Sequence, residues 1–363
     1  MKILQAISQL GNGGAEKLVV ELCNELDKGN EVVLLSFRRV EEWMFFPKKL
    51  RSSVKLIELN KQKGFNVSFI LELFKVIKAE KPDVINTHLC STLKYFMFII
   101  PLFSKIKFFH TIHSEFKYSK DSFSKLSKIW FFKRVNFVCL SDNIKKDHQL
   151  FFKGFKFYTI GNGIASLKSS KNIEDVEMEI NKLKGKNKNK IFLFVGRLGE
   201  EKNIPLLLKI FSKIDNSRLL IIGSDPTESK VIQSKIKKCT SKNIIYLGAK
   251  ENVQDYMMYS DALVLASIYE GLPMVVLEAM SIGLPVLSTP VGSLPAMIKN
   301  GKNGFISDDI SEKSYMKVVE LFLKLDKIEL EQIRDNNIKM FYKDYSMEIC
   351  AKNYLSLYNG ELK

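Results

Sequence analysis

Cysteine is scarce in this chain and badly placed for pairing. The five that occur, Cys23, Cys90, Cys139, Cys239 and Cys350, are odd in number, widely spread and free of any Cys-x-x-Cys spacing. They exclude a disulfide framework and a zinc site and point to a reducing compartment. Long apolar runs are missing as well. The longest, Tyr95 to Phe103, is interrupted by Pro101 and flanked by Lys94 and Lys105, well short of the roughly 20 residues that span a bilayer. The opening Met1-Lys2-Ile3-Leu4-Gln5-Ala6-Ile7-Ser8 is too short an apolar stretch for a signal peptide and leads straight into a glycine loop. It reads as a first buried strand. No recognised nucleic-acid-binding motif accompanies the net charge of +16, so nucleic acid is not expected as a partner.

What is present suffices for two cores. A chain of 363 residues, 46% of them hydrophobic, exceeds the usual size of one domain. Short apolar runs alternate with longer amphipathic ones, the rhythm of βα units around parallel sheets. In the first half, strands are expected at Ile3–Ser8, Val32–Phe37, Val54–Leu59, Val84–Thr87, Phe108–Ile112, Phe137–Leu140 and Lys156–Ile160. A polar, lysine-rich stretch follows. A second series has strands at Ile191–Gly196, Arg218–Ile222, Ile244–Leu247, Ala262–Leu265, Val286–Ser288 and Gly304–Ser307. The fold class expected is α/β, with two doubly wound parallel-sheet domains facing across a cleft at the carboxyl ends of their strands. The boundaries are 1–165 for the first domain, 166–190 for a linker, 191–340 for the second domain and 341–363 for a terminal amphipathic helix. Basic residues cluster with large aromatics between Lys105 and Lys156, where Lys105, Lys107, Lys117, Lys120, Lys125, Lys128, Lys133 and Arg134 alternate with Phe108, Phe109, Phe116, Phe123, Trp130, Phe131 and Phe132. That mixture suits an anionic membrane surface. It suits equally a core of aromatics with its lysines in water.

Three segments could carry chemistry. The most informative is Tyr269-Glu270-Gly271-Leu272-Pro273-Met274-Val275-Val276-Leu277-Glu278. Pro273 has a fixed φ and no N–H, which suits the first turn of a helix; Glu270 then lies in the loop before it and Glu278 inside it. A helix N-terminus favours an oxygen-rich or anionic ligand, and Gly271 lets the backbone approach one closely. In a purely structural reading Glu270 favours the helix dipole and Glu278 is a solvated face residue. Gly11-Asn12-Gly13-Gly14-Ala15-Glu16-Lys17 opens a helix and can hold a phosphate with backbone N–H groups, though it is neither a dinucleotide fingerprint nor a Walker loop. Gly196-Arg197, with Lys202 five residues after the arginine, ends a strand and precedes a helix. Two cations so placed can neutralise a diphosphate leaving group, or can be ordinary surface charges.

Taken in order, these segments resemble the family 4 retaining glycosyltransferases of the GT-B fold. The resemblance covers almost the whole chain: Gly13 to Lys17, Pro82 to His88, His110-Thr111-Ile112-His113, Gly161-Asn162-Gly163, Gly196-Arg197 with Lys202-Asn203, and Glu270 to Glu278 followed by Gly283-Leu284-Pro285-Val286. It implies that the N-terminal domain binds the acceptor and the C-terminal domain a nucleotide diphosphate sugar, most naturally UDP-linked. Arg197 and Lys202 would bind the donor diphosphate beside Gly196, Glu278 the ribose hydroxyls, and Glu270 with the backbone of Gly271, Leu272, Pro273 and Met274 the transferred sugar. The backbone of Gly13 and Gly14 would face the phosphates. His113 matches the histidine that contacts the donor sugar and His88 lines the acceptor side, a core role being open for both. The expected catalytic groups are thus Glu270, His113, Arg197 and Lys202. No metal and no cofactor is implied, and the chain has no Asp-x-Asp motif in a plausible metal-binding setting. The terminal helix looks like the one that crosses back to the N-terminal domain in this fold.

The chain departs from the pattern at Gly223-Ser224-Asp225-Pro226, at Ala165 and at Ala296, none of them an expected catalytic position. The reading is a cytoplasmic enzyme, peripheral at the inner face of the cytoplasmic membrane. It would move a hexose or N-acetylhexosamine to a glycan acceptor, polyprenyl-diphosphate-linked, in O-antigen or capsule assembly. Its rivals are a nucleotide-sugar epimerase or hydrolase, and a catalytically silent glycan- or nucleotide-binding partner.

Overall fold

The computed structural model describes residues 1–11, 13–44, 46–62, 64, 66–113, 130–171, 173–185, 189–225 and 230–362. The chain divides into two units, Met1–Ala165 with Met347–Lys363, and Ser166–Ser346. The first holds β1 (Lys2–Ile7), β2 (Glu31–Ser36), β3 (Lys55–Glu58), β4 (Val84–His88), β5 (Lys107–Ile112), β6 (Val135–Cys139) and β7 (Lys156–Thr159). They form one parallel sheet in the order β3-β2-β1-β4-β5-β6-β7. Because both faces of this sheet are covered, its strands read in sequence as nearly continuous apolar runs. Alternate residues nevertheless serve different cores. Ile3 and Ile7 pack with Val32, Leu34, Val84 and Phe109 on one face, and Leu4 and Ala6 with Val33, Leu35, Ile85 and Phe108 on the other.

Gln5 stands on the first of those faces and is fully buried. So are Asn86 and His88 from β4 and Thr111 from β5, which share the parity of Val84 and Phe109. This polar row is covered by the last helix, Met347–Asn359, which packs against the helix Gly14–Leu26. Its buried residues, Met347, Cys350, Ala351, Tyr354, Leu357 and Tyr358, follow the helical period along one stripe.

The second unit repeats the plan. Its strands β8 (Lys190–Val195), β9 (Ser217–Ile222), β10 (Ile244–Gly248), β11 (Ala262–Leu265), β12 (Val286–Ser288) and β13 (Gly304–Ile306) form a parallel sheet in the order β10-β9-β8-β11-β12-β13. Both sheets have the doubly wound order in which the chain starts centrally, runs to one edge, and returns to the other side of the first strand. The switch points lie between β1 and β4 and between β8 and β11, and ligands bind beyond the carboxyl ends of strands at such points.

The stretch 166–190, expected to be a linker, carries a helix, Ile173–Lys184, that belongs with the second unit. Val176 and Ile180 are buried, and Glu177 and Glu179 accept hydrogen bonds from Tyr259 and Tyr256, both at 2.8 Å. The described part of the basic and aromatic segment follows the core reading. Phe108, Phe109 and Phe132 are core residues, 2%, 3% and 1% exposed. Arg134 donates to the carbonyls of Ile100 and Phe103 at 2.8 and 3.0 Å, and Lys107 to that of Tyr358 at 2.9 Å. These aromatics fill the sheet's core and these cations tie loops. Phe116, Lys117, Lys120, Phe123, Lys125 and Lys128 lie outside the described residues. Among the described residues, no helix is long and apolar enough to cross a membrane.

Candidate functional site

In the second unit the sequence-predicted residues gather at the switch point. β8 runs into Gly196, whose N–H bonds to Ile222 O at 3.1 Å, and the backbone then sends Leu198 inward and Arg197 outward. Close packing explains the glycine after the neighbouring strand: a Cβ on Gly223 would lie 1.9 Å from Gly196 O. A short 3-10 turn, Glu200–Lys202, follows, and Ile268 N–H donates to Glu201 O at 2.8 Å. That bond stitches the loop after β8 to the loop after β11.

The stitching brings Lys202 to Glu270, 68 positions later. Lys202 Nζ lies 2.6 Å from Glu270 Oε1, and Ser267 Oγ donates to the same oxygen at 2.7 Å. Ser267 is itself fixed by Thr289 Oγ1, which donates to its carbonyl at 2.6 Å. The Glu270 side chain is 7% exposed and that of Lys202 19%. Glu270 Oε2 takes no hydrogen bond from a described residue, so it remains an acceptor for a ligand hydroxyl. Arg197 is 64% exposed and pairs with Glu201 at 2.8 Å. Such an exposed i,i+4 pair is weak and easily exchanged for a stronger anion.

The turn after Glu270 is held from behind. Ser293 donates to Gly271 O through both its N–H (3.2 Å) and its Oγ (2.7 Å). In front it is open: a Cβ built on Gly271 meets no atom within 4 Å. The helix begins at Met274, so Pro273 stands just before it rather than in its first turn. The reason is its extended backbone, with ψ of 114°. Glu278 lies within Met274–Ser281, as expected, and is half-buried.

In the first unit Gly13 caps the helix Gly14–Leu26 with extended backbone, and both glycines are exposed. Near the carboxyl ends of β4 and β5, His88 Nδ1 lies 2.9 Å from His113 Nε2, and His88 Nε2 lies 2.8 Å from Gln5 Oε1. Burial pushes His113 down to about 4 and His88 well below the usual histidine range, with His113 and His110 nearby adding to the effect on His88. Burial, reinforced by His113, brings His110 down to about 3.

These depressed values set a sign. Above about pH 6.5 the histidines are neutral in both the folded and unfolded chain. Between there and the folded values the unfolded chain binds protons that the folded chain refuses, so stability falls on acidification by about 1.4 kcal/mol per pH unit for each histidine in its window. The urea midpoint should therefore drop between about pH 7 and pH 5, and His110→Asn, if folded, should flatten that slope.

Sequence reasoning missed Gln5, Ser267, Thr289, Ser293 and Tyr358; Asn86 stood in the Pro82 to His88 segment, but no role was given to it. Only Gln5 carried a signal, as a polar residue inside an apolar strand. Once these positions are known, the comparisons are direct. The family described as "Glycosyl transferases group 1" matches residues 175–340, and "Glycosyltransferase Family 4" matches residues 12–166. A Campylobacter jejuni protein is 27% identical over 98% of this chain and 98% of its own length; it is the GalNAc-alpha-(1->4)-GalNAc-alpha-(1->3)-diNAcBac-PP-undecaprenol alpha-1,4-N-acetyl-D-galactosaminyltransferase. The Escherichia coli UDP-Gal:alpha-D-GlcNAc-diphosphoundecaprenol alpha-1,3-galactosyltransferase is 26% identical over 72% of this chain and 70% of its own. The crystal structure of Anabaena HepE in complex with UDP superposes with a TM-score of 0.81 at 15% identity, covering 99% of this chain and 100% of that one.

Proposed function

The chain belongs to the family 4 glycosyltransferases of the GT-B fold, and from that premise we propose that it transfers a hexose or N-acetylhexosamine from a UDP-linked donor to a lipid-diphosphate-linked glycan, with retention of anomeric configuration. The observation that carries the reading is the cluster at the second switch point: Lys202 against Glu270, Ser267 bonded to the same carboxylate, and Arg197 on the loop that carries Lys202, paired with Glu201. Breaking the glycosyl–phosphate bond places negative charge on the departing diphosphate. Lys202 and Arg197 would stabilise that charge, Arg197 leaving Glu201 for the phosphate. Glu270 Oε2 and the backbone of Gly271 to Met274, open at Gly271, would hold the sugar, and Glu278 the ribose. The two cations take the electrostatic part that a divalent ion plays elsewhere, so activity is expected without added metal.

The donor and acceptor classes rest on the relatives, two of which are named for undecaprenyl-diphosphate-linked acceptors and one for UDP-Gal. A lipid-linked acceptor and a net charge of +16 together favour work at the inner face of an anionic membrane, in assembly of a surface polysaccharide. The test is the product made from an α-linked UDP-sugar on a synthetic undecaprenyl-diphosphate glycan, with EDTA present. An α-glycoside by NMR is expected. A β-glycoside would overturn retention, and loss of turnover restored by a divalent ion would overturn the electrostatic role given to Arg197 and Lys202.

A further inference from the structure

In the first unit a row of side chains beneath the last helix forms a directed hydrogen-bond relay. Gln5 Nε2 donates to Tyr358 Oη at 3.1 Å, which turns Gln5 Oε1 toward His88 Nε2 at 2.8 Å. A carboxamide oxygen can only accept, so His88 Nε2 carries the proton. His88 is fully buried with no acidic partner, hence neutral, and its Nδ1 is then a lone pair. That lone pair lies 2.9 Å from His113 Nε2, which must donate to it. Asn86 Nδ2 also approaches His88 Nε2, at 3.3 Å. Its two N–H groups are used elsewhere, one on Thr111 Oγ1 at 3.1 Å and one on the Tyr358 hydroxyl, while its Oδ1 accepts from Thr111 Oγ1 at 3.2 Å. Thr111 in turn meets Tyr354 Oη at 3.1 Å, so a second tyrosine of the same helix pins the neighbouring strand. The single proton of a neutral His113 is thereby placed on Nε2. Its Nδ1 hydrogen-bonds to no described residue.

We propose that Tyr358, Gln5 and His88 are positioning residues that fix the tautomer of His113, so that His113 presents Nδ1 as a hydrogen-bond acceptor to a hydroxyl of a substrate bound at the first unit. The identity of that donor as a sugar hydroxyl rests on the glycosyltransferase reading; the tautomer does not. The relay makes the last helix part of the site rather than a mere cover. In the arrangement seen, Tyr358 Oη accepts from Gln5 Nε2; a turned amide would present N–H to His88, reverse both histidines and leave His113 Nδ1 a donor, unable to accept from a sugar hydroxyl.

Long-range proton–nitrogen correlation spectra of the full-length protein read this directly, because the chain has only four histidines to assign. The expected result is Nε2–H for both His88 and His113 in the unliganded protein. Tyr358→Phe keeps the ring and removes the acceptor, and Gln5→Leu removes the amide. Each should move His113 toward mixed tautomers and lower kcat by about tenfold, the weight of one hydrogen bond. A purely structural role would lower the thermal midpoint and leave the His113 tautomer alone. The proposal is overturned if His113 is Nδ1–H in the parent protein, or if both variants fold and keep the parent tautomer. The spectra need no substrate, so failure of the transferase reading and failure of the relay are separate results.

Discussion

Lys202→Met should lower turnover by about 10²- to 10³-fold at saturating donor, the range seen when one preorganised charge-stabilising group is removed. The same change should destabilise the fold. It leaves Glu270 as a carboxylate with a 7% exposed side chain and Ser267 Oγ as its remaining side-chain donor. Breaking a fully buried ion pair costs about 3–5 kcal/mol; with the Lys202 side chain 19% exposed, about 2 kcal/mol is expected. Adding Glu270→Gln removes the stranded charge. The double variant should therefore recover much of the stability and none of the turnover. Thermal unfolding and steady-state kinetics on the three proteins check both halves, and turnover within a few-fold of the parent in Lys202→Met would sink the role given to that cation.

Gly292→Ala should be nearly as damaging without touching a charge. The residue has φ of +58°, and a Cβ there would sit 1.8 Å from Glu270 O and 3.0 Å from Gly271 O. An L side chain is strained in this region by roughly 1–2 kcal/mol, and the collision is with backbone, which cannot rotate away. The Glu270–Gly271 turn would have to move by the order of an ångström, a displacement that can cost about 10²-fold in rate. Gly271→Ala makes the informative contrast, since nothing lies within 4 Å of the added atom. It should fold as the parent does and weaken donor binding, because the open face is reserved for ligand. If Gly292→Ala turns over normally, the turn is not held by that contact.

The fold was largely legible because strands buried on both faces announce themselves as apolar runs. Each of the thirteen strands lies within two residues of its expected position. The site was legible as separate motifs: Glu270, Lys202, Arg197 and His88 each stand where a strand end or the loop after it was expected. Their partnerships were not, because the Lys202–Glu270 pair and the Gln5–Tyr358 bond join positions 68 and 353 apart. Such contacts follow from sheet order, which local periodicity does not encode. Serine and threonine at 267, 289 and 293 look like ordinary turn residues until their carbonyl and carboxylate partners are known. The aromatic segment left two readings open for a different reason. Phe108 and Phe109 lie on one strand and point to opposite faces, both covered, so a sequence rich in lysine and phenylalanine resembles a membrane surface while building a core.

The central claim is that this chain cleaves a nucleotide sugar only to pass the sugar on. The direct measurement is nucleoside diphosphate release by the purified protein from a panel of UDP- and GDP-sugars, without and then with an undecaprenyl-diphosphate-linked glycan. Release from one UDP-sugar that requires the lipid-linked acceptor is the predicted result. Equal consumption of donor without any acceptor would contradict it and identify a hydrolase or an epimerase instead.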